Sequence, residues 1–197
     1  MHRDYLLVTR NLDPVALERG RMATMQQGWM PDKTALGLMA SAAFQELATR
    51  ISHRNTGRYS DDPVADTIMV RVAADENLHM MFYRDIVAAA LQVVPSAAVE
   101  AITGEVIGFD MPGAGIQGFT RKALQMAQAG IYDLRIHHDE ILWPLLRYWN
   151  LFGLQGLDPQ AEQARDRLAT HLAKIDRLAN RFEAKRMRAA DAQAQAS

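Results

Sequence analysis

From Val64 to Val94 the chain contains neither glycine nor proline. A helix is the regular structure that fits so long an unbroken run. Asp61-Asp62-Pro63 supplies its start, a capping carboxylate with proline at the first helical position. Pro95 supplies the stop. The apolar residues Val64, Ile68, Val72, Met80, Ile86 and Val87 recur at helical rather than alternating spacing. About 30 residues at 1.5 Å each make a rod roughly 45 Å long, well beyond the average helix and typical of bundles.

Helical segments flank this rod on both sides. Asp13-Pro14 opens one that runs to about Gln27 and stops at Gly28; a second runs from near Asp32 to about Thr56, with Gly57 as its exit. Leu36, Phe44, Leu47 and Ile51 recur on one side of it. After the rod, Ser96 is placed to cap a helix ending near Ile107, and the glycine-rich stretch 108–118 reads as a loop. Helices are expected over 119–129 and, interrupted at Pro144, over 131–150. Asp158-Pro159 begins a last, charged amphipathic helix to about Arg188, leaving 189–197 as a flexible tail. No window reads better as a strand. The expectation is one all-α domain over 1–188.

Composition removes several function classes. Lys+Arg of 22 against Asp+Glu of 23 gives a net charge of -1, so no electrostatic case exists for a nucleic acid partner. With no cysteine, a disulfide framework, thiolate zinc site, iron–sulfur cluster or cysteine nucleophile is excluded. The longest apolar stretch, Ile86 to Leu91, is far short of the roughly 18 residues a membrane span needs. The first residues lack a secretory pattern, so a cytoplasmic location is expected. There is no glycine-rich phosphate loop at a strand–helix junction and no Gly-x-Ser-x-Gly.

The residues that can carry chemistry sit on the long helices. Glu76 and His79 are three apart and share a helix face, so they can ligate one ion together. Alone the pair is weak, because 8 Glu and 6 His produce such a match by chance in about one chain in four of this length. Context strengthens it. Between residues 19 and 99 the only glutamates are Glu46 and Glu76, each near the middle of a long helix among apolar or small residues. A carboxylate at that depth is costly unless paired or metal-bound. Carboxylate-bridged di-iron bundles use one Glu from each of two helices and Glu-x-x-His from each of two others. Carboxylate and imidazole donors suit iron or manganese. Thr49, three residues after Glu46, places a hydroxyl on the same face, where it can serve the site or bond back to its own helix.

The run Phe44-Gln45-Glu46-Leu47-Ala48-Thr49-Arg50-Ile51-Ser52-His53-Arg54-Asn55-Thr56-Gly57, followed by Ala73-Ala74-Asp75-Glu76-Asn77-Leu78-His79, resembles the second half of a soluble acyl carrier protein desaturase of the actinobacterial, mycobacterial type. The likeness extends to Arg3-Asp4-Tyr5-Leu6, Asp61-Asp62-Pro63-Val64-Ala65-Asp66, Met111-Pro112-Gly113 and Gly130-Ile131-Tyr132. It implies a ferritin-like bundle with a non-haem di-iron centre. It also implies O2- and ferredoxin-dependent insertion of a cis double bond into a fatty acyl chain held on acyl carrier protein. By the same resemblance Glu46 is a terminal iron ligand, Glu76 a bridging one and His79 the histidine ligand. Thr49 stands near the oxygen site, and Asp75 orients a histidine by accepting its ring N–H.

One departure matters. The family has six iron ligands, the first three being a lone Glu and a Glu-x-x-His. Here Glu18 is the only glutamate before Glu46, and Arg21 stands where its histidine would be. The resemblance therefore implies a chain that begins inside the second bundle helix and carries half of the ligands. Either the encoded start lies upstream and this sequence is a truncated fragment, inactive alone, which is the favoured reading, or a homodimer completes the set. The alternative is a non-catalytic remnant, or a partner half, that binds acyl carrier protein or a second subunit.

Other candidates are weaker. His137-His138-Asp139-Glu140 looks metal-rich, but packing or surface roles are favoured, since the family's matching helix carries no ligand. His53, on nearly the Glu46 face two turns on, reads as a buried hydrogen-bonding histidine. Met22, Met25 and Met80-Met81 read as core filler or acyl-chain lining. Trp143, Tyr148 and Trp149 read as anchors. Lys185-Arg186-Met187-Arg188 reads as a solvated end.

Overall fold

A computed structural model describes residues 2–27, 33–109 and 118–195. Among them the regular structure is entirely helical. The helices are α1 (His2–Val8), α2 (Pro14–Gln27), α3 (Ala35–Ser60), α4 (Pro63–Val93), α5 (Pro95–Ile107), α6 (Phe119–Gln128), α7 (Leu134–Ile136), α8 (Trp143–Tyr148) and α9 (Pro159–Gln195). Gly28, Asp32 and the Met111-Pro112-Gly113 match lie outside the described residues, as does most of the loop expected over 108–118.

The α3–α4 hairpin is the frame of the molecule. Thr34 caps α3, its Oγ1 accepting from the Gly37 N–H at 3.0 Å. Gly57 does not end α3, contrary to the expectation from sequence. It is buried inside the helix, at a crossing so close that a Cβ there would sit 2.5 Å from Asp66 Oδ1. The exit comes four residues later, where Asp61 takes the left-handed conformation with φ 50°. Asp62 then caps α4, accepting from the Val64 and Ala65 N–H groups at 2.7 and 3.1 Å. With a turn this short the two helices must run antiparallel, and small buried residues on their facing sides, Ala43, Ala48, Ala65 and Ala73, allow close packing.

The core lies on one side of this hairpin. Phe44 and Leu47 of α3 and Met80, Val87 and Leu91 of α4 meet Val99 and Ile102 of α5, Leu145, Leu146 and Trp149, and Leu168 and Leu172 of α9. The Phe44 and Trp149 rings pack edge to face at 5.6 Å. Trp149 is an anchor as expected, with its Nε1–H donating to the Arg84 carbonyl. Tyr148 instead is exposed, with its hydroxyl donating to Asp85.

Three boundaries differ from expectation. Ser96 does not cap α5; its Oγ accepts from the Asp158 N–H at 3.0 Å and pins the start of α9. The segment 131–150 is no single helix. Asp133 caps α7, which widens into a π-helical stretch, His137–Leu142, before Pro144. There the Trp143 N–H reaches back five residues to the His138 carbonyl. Finally, α9 continues past Arg188 to Gln195.

Helices α1 and α2 stand apart from this core. No residue of α1 is buried. It is fastened by the Tyr5 hydroxyl, which donates to Asp62 Oδ2 at 2.6 Å. Met22 and Met25 of α2 are exposed rather than core filler, with the Arg21 guanidinium against both sulfurs. No helix of the described residues is long and apolar enough to cross a membrane. The architecture is an all-α, ferritin-like helical bundle.

Candidate metal centre

Glu46 of α3 and Glu76 of α4 stand level at the middle of the hairpin, and His79 follows one turn along α4. Their ligand atoms all lie within 4.8 Å of one another. His79 Nδ1 is 3.6 Å from Glu46 Oε2 and 3.6 Å from Glu76 Oε2. The carboxylate side chains are 25% and 20% exposed and the imidazole 59%, so the cluster is backed by the core and open on its outer side.

The electrostatics of the cluster favour a cation. Burial raises the Glu46 carboxyl from 4.5 to about 7, and its contact with Glu76 adds to the rise; the His79 imidazole opposes it. Two carboxylates in contact cannot both ionise cheaply, and a divalent ion among them removes that cost. Oxygen and imidazole donors at these separations fit one iron or manganese ion. Ligand atoms about 2.1 Å from a shared ion lie about 3 to 4.2 Å from one another.

The other nominated residues occupy different positions. Thr49 Oγ1 donates to the Glu46 carbonyl at 3.0 Å, so its hydroxyl is bonded to its own helix. Asp75 is exposed on α4, about 100° around the helix from Glu76, and none of the hydrogen bonds among the described residues joins it to a histidine. His137 and His138 are buried packing residues. His137 Nδ1 meets the Tyr132 hydroxyl at 2.8 Å, and His138 Nε2 accepts from Trp143 Nε1 at 2.9 Å. Met80 is buried and shares a cavity of about 260 Å³ with Leu47, Ile51 and Leu145.

Two histidines join the site in ways spacing alone did not reveal. His53 Nε2 lies 3.8 Å from Glu76 Oε1, the oxygen not facing His79. Burial pulls the His53 pKa down, Glu76 pulls it up, and His2 lowers it further. The His2 ring stands 5.6 Å from the His53 ring, tilted by 31°. Its approach depends on how α1 docks, which no local motif encodes.

The sequence matches the family model described as fatty acid desaturase over residues 1–197. DesA1 of Mycobacterium tuberculosis, named as an acyl-acyl carrier protein desaturase, is 41% identical over 98% of this chain and 60% of its own length. DesA2 of the same organism is 30% identical over 79% of this chain and 56% of its own length. The chloroplastic stearoyl-acyl carrier protein 9-desaturase 2 of rice, Oryza sativa, is 28% identical over 94% of the chain and 50% of its own length. The chain thus spans between half and three fifths of the length of these relatives. It belongs to the fatty acid desaturase family.

Proposed function

We propose that this chain carries part of the iron site of an acyl-acyl carrier protein desaturase, an oxidoreductase that acts in the cytoplasm. It inserts a cis double bond into the carrier-bound acyl chain at the expense of O2 and electrons from a ferredoxin-type donor. The observation that carries the reading is the convergence of Glu46, Glu76 and His79 at mid-height of α3 and α4. The names of its relatives supply the substrate class.

Glu46, Glu76 and His79 hold the metal. Iron bound there supplies redox chemistry that activates oxygen. The chain's own residues bind, orient and exclude water. Phe44, Leu47 and Trp149 keep the core side of the cluster dry. Without metal the Glu46 carboxyl, its pKa raised to about 7, is partly protonated at neutral pH, and that proton leaves when the ion binds. The Thr49 bond to the Glu46 carbonyl fixes its hydroxyl one turn from the carboxylate.

The test combines metal content with turnover. Chain reconstituted with Fe(II) is given reduced ferredoxin, O2 and acyl carrier protein bearing a saturated chain, and product mass is read for the loss of two hydrogens. Glu76→Ala should lose iron and product together. Unchanged iron content in that variant would refute the metal assignment. Iron bound by the wild type with no unsaturated product would favour the second reading, a non-catalytic partner half; the open outer side of the cluster, with His79 59% exposed, suits such a role.

A further inference from the structure

A cavity of about 500 Å³ opens between α5, α6 and α9, with the start of the π-helical stretch at one end. None of its described walls comes from α3 or α4, so it is separate from the Glu46–Glu76–His79 cluster. Leu124 and Ile175 help make the lining mostly apolar, and Phe109, Tyr132 and Phe182 add aromatic surface. That size, with an apolar lining and few polar groups, is the form of a small-molecule site. The polar group is His137. Its Nδ1 meets the Tyr132 hydroxyl at 2.8 Å. Among the described residues nothing bonds its Nε2, and that atom is not sealed off, so it faces the cavity. The Phe109 ring lies against the imidazole, centroids 4.6 Å apart. No unpaired charge stands in these walls. Burial, with His138 and His171 nearby, lowers the His137 pKa to about 4 and holds the ring neutral. The His171 pKa is lowered too, by burial first and then by Lys174. The Asp133 carboxylate accepts from the Ile136 N–H at 2.9 Å and stands 3.6 Å from the Arg186 guanidinium. An ionic guest would lose its hydration there without gaining a partner.

We propose that this cavity binds an uncharged aromatic molecule bearing one hydroxyl group, with the hydroxyl on His137 Nε2 and the ring against Phe109 and Phe182. In a neutral imidazole one nitrogen donates and the other accepts. Where Tyr132 donates to Nδ1, Nε2 carries the hydrogen; where Nδ1 donates to Tyr132, Nε2 accepts. A hydroxyl serves both arrangements, because it donates and accepts. A carbonyl oxygen or an ammonium group serves only one of them. Aromatic side chains favour edge and offset contacts with another ring, which a flat guest supplies. Burial of that ring drives binding, and the single hydrogen bond sets its orientation.

The experiment titrates the full chain, by calorimetry, with four probes of similar size: 2-naphthol, naphthalene, decahydro-2-naphthol and 2-naphthoate. One 2-naphthol per chain is expected. Naphthalene lacks the hydroxyl and the saturated alcohol lacks the aromatic ring, so each should bind about fivefold more weakly. The charged 2-naphthoate should bind more weakly still. Leu124→Trp alters α6, a helix without buried residues, and fills the cavity from its exposed side. It should weaken 2-naphthol about tenfold and leave the melting temperature unchanged. His137→Phe with Tyr132→Phe removes the ring nitrogen and leaves no unpaired hydroxyl behind. In that variant 2-naphthol should fall to the affinity of naphthalene, while naphthalene binds as before. No binding of 2-naphthol at millimolar concentration overturns the proposal. So does 2-naphthol binding no tighter than any one of the other three probes, or undiminished binding in Leu124→Trp. Loss of naphthalene together with 2-naphthol in the folded double variant overturns the hydroxyl's place on His137.

Discussion

Glu46→Gln isolates the electrostatic cost of the metal-free cluster. In the folded chain the Glu46 carboxyl titrates at about 7, against 4.5 ordinarily, because burial and Glu76 both disfavour its charge. A pKa raised by folding means the folded state binds the extra proton. The associated stability is therefore fully present below about pH 4.5 and is lost as pH rises towards 7. At about 1.4 kcal/mol per unit the full shift corresponds to roughly 3 kcal/mol. The side chain is a quarter exposed, and screening by solvent reduces the expected effect to about 2 kcal/mol. For a chain of this size that is a change of about 4 to 8 °C in melting temperature. The assay is thermal unfolding of chelator-treated wild type and Glu46→Gln, followed by circular dichroism at pH 5 and pH 8. The two proteins should melt together at pH 5, and the variant should melt higher at pH 8. Divalent metal should then stabilise the wild type and leave the variant much less affected. Equal differences between the two proteins at both pH values would refute the account of a strained carboxylate pair.

Other substitutions test the frame that holds the cluster. Phe44→Ala removes a fully buried ring packed on Trp149 and should cost about 3 to 5 kcal/mol in urea unfolding. Gly57→Ala places a methyl group 2.5 Å from Asp66 Oδ1 and 3.2 Å from its Cα, so α3 and α4 must separate, at about 1 to 3 kcal/mol by the same measurement. Tyr132→Phe removes the hydroxyl bonded to His137 and should cost about 1 kcal/mol. Burial, with His138 and His171 nearby, lowers the His137 pKa from 6.5 to about 4. The stability linked to its neutral form is thus present above pH 6.5 and lost as pH falls towards 4. His137→Gln should flatten that acid limb of the stability profile.

The long helices were legible because their punctuation is local. Asp62 and Pro63 start α4 and Pro95 stops its continuation, and no tertiary contact is needed to read either signal. Glu46, Glu76 and His79 were legible for a related reason: helical spacing fixes which residues share a face, and rare glutamates at mid-helix demand a partner. What escaped the sequence depended on contacts between distant segments. Gly57 looked like a helix exit, yet it is the crossing point of two helices. Ser96 looked like a cap, yet its hydroxyl holds Asp158, 62 residues away. The π-helical turn ahead of Pro144 and the meeting of His2 with His53 likewise arise from packing.

The turn at Asp61 and Asp62 has a further consequence. Glu46 stands 15 residues before Asp61 and Glu76 stands 15 after it, so the hairpin measures the same distance, about 22 Å, along both arms. Surface turns usually absorb insertions freely. Here one added residue would advance α4 by 1.5 Å and rotate it by about 100°, carrying Glu76 and His79 away from Glu46. The meeting of Glu46 with Glu76 and His79 at mid-bundle thus sets the length of a solvent-facing connection far from it, and loop length becomes as much a specification of the cluster as the three side chains themselves.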